Sequence, residues 1–303
     1  MVKRNKYVKL EVRPIPVPPG FIHPEPPNEV LPRHEFTMGI IAPKGSGKTT
    51  VIANLLDFYA GYFNTILVFS PTVASDEKWD YVKTRQLLCD NAPLRKWLKE
   101  MAQKDSENKV VQDAPPGREL EGLVNPTPMV DFRIPDDCFY SEYDEDTLAS
   151  IMSEQMSVVR MLKKYGQSKH MANRLLIIFD DLVGSSLFSG RKDNPFKKLN
   201  TNHRHYSASI LMVSQAYKEL PKTVRTNFSS IVIFEIPNDK ELEVIQEENP
   251  MYMKKKDWYE LYEYAVDGDH DFLYINYQKP KRLRMMKNFS EVLFVELGKD
   301  KIN

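Results

Sequence analysis

A nine-residue stretch, Ala42-Pro43-Lys44-Gly45-Ser46-Gly47-Lys48-Thr49-Thr50, lies between an unbroken apolar run, 37–42, and a helical pattern over 49–60. The helical pattern puts Val51, Ile52, Leu55, Leu56 and Tyr59 on one face. The chain must therefore turn from a buried strand into an amphipathic helix through a glycine-rich loop. Gly45 and Gly47 permit the tight turn and let backbone N–H groups point inward. The start of the helix adds partial positive charge at the same place. Such a loop holds phosphate. The spacing follows G-x-x-x-x-G-K-[ST] except that Ala42 stands at the first glycine, which alanine can occupy with a negative φ. Pro43, Lys44, Gly45, Ser46, Gly47, Lys48, Thr49 and Thr50 form the candidate ATP-binding set. Lys48 is expected to reach the β- and γ-phosphates and Thr49 to offer its hydroxyl to Mg²⁺.

Four further runs read the same way: 65–69, 175–179, 208–213 and 230–234. Each is short, apolar without alternation, and closed by polar residues or proline, as expected of a strand buried on both faces. Helical patterns intervene, including 144–165 with Leu148, Ile151, Met152, Met156, Val159 and Leu162 on one stripe. Strands alternating with helices predict an α/β fold with a mostly parallel sheet. Residues 14–32 hold eight of the 21 prolines, so residues 1–34 read as an extended arm before the core of 35–236. Residues 104–125 are polar and contain Pro115-Pro116-Gly117, and read as an insertion or loop. Residues 237–303 read as a C-terminal extension of the same domain, with strands at 272–277 and 292–297.

Hydrophobic residues make up 42% of the chain, enough to bury a full core and to exclude wholesale disorder. No run of 18 apolar residues and no signal-peptide pattern is present, so neither membrane insertion nor secretion is expected. Cys89 and Cys138 stand alone, without the spacing of a metal site or a disulfide framework.

The strongest apolar run ends at Asp180-Asp181. A carboxylate at the C-terminal end of a strand beside a phosphate loop is placed to hold Mg²⁺. We assign that role to Asp180 and the role of a base orienting the attacking water to Asp181. Aspartate pairs also cap helices and turns. Gln215, closing the run 208–213, is positioned to sense the γ-phosphate or the water. Forty-two basic and 42 acidic residues give zero net charge, so nucleic-acid contact must come from local patches. Three are visible: Arg191-Lys192 with Lys197-Lys198 and His203-Arg204-His205; Lys254–Lys256; and Lys279–Lys287.

The order of these features carries a resemblance. The phosphate loop is followed by Leu175-Leu176-Ile177-Ile178-Phe179-Asp180-Asp181, then Asn202-His203-Arg204-His205, then the run ending at Gln215, then Pro221, Arg225 and Asn227. Over roughly Glu35 to Ile236 this resembles the poxvirus-type genome-packaging ATPases of eukaryotic DNA viruses and virophages, in the FtsK–HerA superfamily. The most specific portion is 202–227. The sequence departs from the pattern at Ala42, and Asp181 stands where many relatives have glutamate. The resemblance implies a RecA-like P-loop core and an ATP hydrolase in a homo-oligomeric ring. It implies movement of double-stranded DNA, through phosphate contacts, into a capsid at a portal-like vertex. The setting would be the virion or a viral assembly site in the cytoplasm or nucleus. It further implies a neighbour's arginine at each site, for which Arg225 is preferred to Arg204. Alternatives are another DNA-pumping ATPase of the same superfamily, a P-loop small-molecule kinase, or a non-enzymatic nucleotide-binding scaffold.

Overall fold

A computed structural model describes residues 21–108, 131–182 and 184–295. Strands β1 (Thr37–Ile41), β2 (Thr65–Phe69), β4 (Leu175–Asp180), β5 (Ala208–Ser214) and β6 (Ser230–Phe234) fall on the five predicted runs. With the two-residue β3 (Phe139–Tyr140) they form a parallel sheet. β7 (Phe272–Asn276), β8 (Met285–Lys287) and β9 (Glu291–Leu293) extend its edge antiparallel. The order is β3-β2-β4-β5-β1-β6-β7-β8-β9. β5 separates the phosphate-loop strand from the carboxylate strand, the arrangement of a RecA-like P-loop core.

Helices cover both faces. Alternate strand residues such as Met38, Ile40, Val68 and Ile178 pack on α1 (Lys48–Phe58) and α2 (Glu77–Thr84). The others, such as Ile41, Phe69 and Ile177, pack on α4 (Glu145–Lys164), α5 (Pro195–Asn202), α7 (Asp239–Glu248) and α8 (Lys255–Ala265). Every residue of β1, β4, β5 and β6 is buried, which is why none of these runs alternates. Local signals set the helix starts. The Asp144 carboxylate accepts from the Thr147 N–H at 2.7 Å, and Asn194 caps α5 with Pro195 in its first turn. After β5, α6 (Lys222–Arg225) is a single turn before β6.

α3 (Ala92–Asn108) runs into the segment expected to be a loop, so 104–108 are helical. The rest of that segment, up to 125, lies outside the described residues, as do 1–20 of the N-terminal arm and 296–297 of the last predicted strand. The end of the arm lies on the core. The hydroxyls of Tyr59, Tyr62 and Tyr274 donate to the carbonyls of Pro32, Pro24 and Val30 at 2.7, 2.9 and 3.1 Å, and Leu31 is buried.

Candidate functional site

Three strand ends meet at one edge of the sheet. Ile41 pairs with Ser214, and Asp180 pairs with Val213, so the phosphate loop, the carboxylates and Gln215 emerge side by side. Ligands of open parallel sheets bind at this carboxyl end. Gly45 and Gly47 have φ of 85° and 96°, in the left-handed region that glycine enters without strain, and Gly47 caps α1. Ala42 is not among the positive-φ residues; it is buried and donates to the Ser214 carbonyl at 3.0 Å. The substitution for glycine therefore fits. Thr49 is buried in the first helical turn, while Thr50 is exposed.

Lys48 joins the two halves of the site. Its Nζ donates to Asp181 Oδ2 at 2.8 Å and lies 4.0 Å from Asp180 Oδ1. Gln215 Nε2 donates to the same Asp181 oxygen at 2.6 Å. Asp181 has a φ of 54°, an uncommon conformation outside glycine that a carboxylate residue tolerates. Such strain concentrates at functional positions.

Asp180 is fully buried. One oxygen accepts from the Ser70 hydroxyl at 2.7 Å, while Oδ1 is buried without a hydrogen-bond donor. Burial raises this carboxyl above its ordinary range, against the Ser70 bond and the Lys48 charge, which lower it. An unbonded, acceptor-only oxygen beside a phosphate loop fits a hard divalent cation. In the sequence Ser70 is no more than the polar residue that closes the run 65–69. The structure gives it a role in orienting the carboxylate.

Arg225 is engaged within its own chain. Its side chain is 10% exposed, pairs with Glu248 at 3.1 Å and lies over the Tyr217 ring at 4.6 Å. Those contacts tie α6 to the end of α7. Arg204, on the turn before β5, is exposed. His203 is half-buried against the Glu35 carbonyl, with burial lowering its pKa.

The basic runs are exposed in part. Lys192 and Lys197 are on the surface. Lys198 and Arg191 pair with Asp193 and Glu145, each at 3.6 Å. Lys255 pairs with Glu243 at 2.6 Å and Lys256 with Glu260 at 3.4 Å. Lys287 is held by Asp267 and Asp271. Both cysteines are free thiols, and burial pushes Cys138 up to about 12. Among the described residues no helix is long and apolar enough to cross a membrane.

No curated protein matches the chain. Among solved structures it is similar to the genome packaging NTPase B204 from Sulfolobus turreted icosahedral virus 2 in complex with AMPPCP. Identity is 12%, the TM-score 0.48, and the match covers 87% of this chain and 99% of that one. It is also similar to the cytoplasmic domain of the Type VII secretion ATPase EccC of Thermomonospora curvata. There identity is 12% and the TM-score 0.46, over 88% of this chain and 26% of that one. The profile of the Poxvirus A32 protein family matches residues 129–267. The phosphate loop lies before that segment. The segment itself carries the paired carboxylates, Gln215, Arg204 and Arg225, so the part of the chain that is similar to the Poxvirus A32 protein family holds these predicted site residues.

Proposed function

We propose that the chain is an ATP-driven translocase that packages viral double-stranded DNA into capsids. The observation that carries this reading is the convergence of Lys48, Asp180, Asp181 and Gln215 at the carboxyl end of a RecA-like sheet, in a chain whose residues 129–267 match the profile of the Poxvirus A32 protein family.

In this reading the N–H groups of the loop cradle the phosphates, and Lys48 exchanges its contact with Asp181 for the β- and γ-phosphates. Thr49 and Asp180 would hold Mg²⁺, which neutralises phosphate charge when bound. Asp181, released from Lys48, orients the attacking water and accepts its proton. Oxygen–phosphorus bond formation accompanies cleavage of the bond to the β-phosphate, so ADP and phosphate leave. Gln215 spans from Asp181 to the γ-phosphate position and links the phosphate state to β5.

The arginine completing a neighbour's site is then Arg204 rather than Arg225, since Arg225 is engaged within its own chain. Arg204 precedes β5 and Gln215 follows it. A seven-residue strand separates the two by about 20 Å, so Arg204 cannot serve its own site. Assembly as a ring supplies the missing contact. Lys192 and Lys197 offer DNA phosphate contacts without base readout, and the work would be done at viral assembly sites in the host cell. The test is ATP turnover by the purified chain with and without double-stranded DNA. DNA-stimulated turnover is expected. Turnover that requires a small phosphate acceptor and ignores DNA would point to a kinase, and absence of turnover to a scaffold.

A further inference from the structure

We infer that His34 and His203 are positioning residues for Arg204, and that they act by tying the root of the N-terminal arm to the turn that carries the arginine. This rests on the reading of Arg204 as the arginine of a neighbour's site and extends it to residues with no assigned role.

Arg204 depends on its surroundings for its aim. Its side chain is exposed and makes no ion pair or hydrogen bond among the described residues. An arginine without partners in its own chain takes its direction from its backbone. That backbone is a single turn, His203–Tyr206, between the end of α5 and the start of β5. The turn closes on Ser207, at a φ of 48°, whose N–H donates to the Arg204 carbonyl at 3.2 Å. Left-handed backbone outside glycine persists only where the surrounding structure holds it.

The arm supplies that hold. His34 is buried, and its Nε2 lies 2.9 Å from the Ser207 carbonyl. A carbonyl only accepts, so Nε2 carries the proton and Nδ1 is the acceptor. Nδ1 takes the Ser209 hydroxyl at 2.8 Å, and the same Ser209 oxygen accepts from the Glu35 N–H at 2.9 Å. Glu35 stands at a φ of 67°, a second left-handed residue. Its carbonyl accepts from His203 Nε2 at 3.0 Å. Residues 34 and 35 of the arm are thus bonded to both ends of the turn, Ser207 and His203. Gln155 Nε2 adds a bond to the Tyr206 carbonyl at 2.8 Å. Burial, and then the neighbouring His23, lower the pKa of His34 well below the ordinary histidine value, so its tautomer and both its bonds are fixed at neutral pH. These bonds fall on the ends of the turn rather than along the strand, and the residue they enclose is the unpartnered arginine.

The test is a double-mutant cycle on ATP turnover by the full chain with double-stranded DNA. His203→Leu removes the donor to the Glu35 carbonyl. Ser209→Ala removes the hydroxyl between His34 and Glu35 without adding bulk, and decides the matter if His203→Leu does not fold. Each is expected to lower kcat by at least about tenfold, since a misplacement of about 1 Å can cost on the order of a hundredfold, with KM for ATP within about twofold of the parent's. In the Arg204→Ala chain the same substitutions should lower the remaining turnover by less than about twofold, because the side chain they aim is gone. A residue that merely holds the fold would cost as much without Arg204 as with it. That result, or parent turnover in either folded single variant, would overturn the inference. Parent turnover in Arg204→Ala would instead overturn the reading of Arg204 itself.

Discussion

Asp180 is a fully buried carboxylate with one oxygen that has no donor among the described residues. Its ionised form is held at a cost that a bound cation would remove. In the folded chain its pKa is raised by burial, so the stability tied to this group is fully present below the ordinary carboxylate value. It is lost as pH rises through the higher folded value. Asp180→Asn removes the charge but keeps an oxygen for Ser70. The variant is expected to be more stable than the parent near neutral pH without nucleotide, with a flatter pH dependence of thermal unfolding. It should also lose most of the added stability that Mg²⁺ and ATP give the parent. A variant less stable than the parent at neutral pH would mean that the carboxylate's contacts outweigh its burial. Lys48→Ala should abolish turnover with the fold retained, checked by circular dichroism beside an ATPase assay. Asp181→Asn should bind ATP yet hydrolyse slowly, and normal turnover would leave Asp181 as a turn residue only.

At the scale of elements, Arg225 shows both what the fold does with a charge and why sequence missed it. Its partners, Glu248 at the end of α7 and Tyr217 after β5, are brought to it only by packing, and no local pattern announces them. Arg225→Ala leaves the largely covered Glu248 carboxylate with the Tyr217 hydroxyl but no cation, and is expected to destabilise the chain by about 3 kcal/mol in urea unfolding. Arg204→Ala should change stability by less than about 0.5 kcal/mol. Equal effects would return Arg225 to the surface. The same logic separates the legible elements from the rest. β1, β4, β5 and β6 were legible because burial on both faces leaves an unbroken apolar run. β3 and β8 are two and three residues long, too short to make a pattern. α3 read as a loop where it is polar, because it packs on α4 mainly through Leu94 and Leu98 and leaves its other faces to water. In the site, the loop and carboxylates were legible from spacing. Ser70 was not, since it reaches the site from a distant part of the chain.

The whole molecule has a polarity that bears on assembly. The phosphate loop, Asp181 and Gln215 stand at the carboxyl end of the parallel strands, and Arg204 stands at the other end, with β5 between. In the proposed reading Arg204 serves the site of a neighbouring copy, and head-to-tail contacts between copies would bring the two together, which is the geometry that closes into rings. Turnover per chain should rise with protein concentration as such rings form. DNA binding should fall steeply with salt, and neutralising Lys192 and Lys197 should lower the logarithmic salt slope by about two. The decisive measurement mixes two inactive variants. Arg204→Ala should bind ATP and assemble but lose about a thousandfold or more in turnover, because the arginine acts on transition-state charge. Asp181→Asn is inactive for a different reason. In a ring holding both, an Asp181→Asn chain can present its intact arginine to an Arg204→Ala chain whose carboxylate is intact. Random mixing at equal amounts makes about a quarter of the interfaces complete in this way, so turnover should recover toward about a quarter of the parent's. An arginine acting within its own chain gives no recovery, since every site would keep one defect. Rings shown to be mixed that remain inactive at all ratios would remove Arg204 from its neighbour's site.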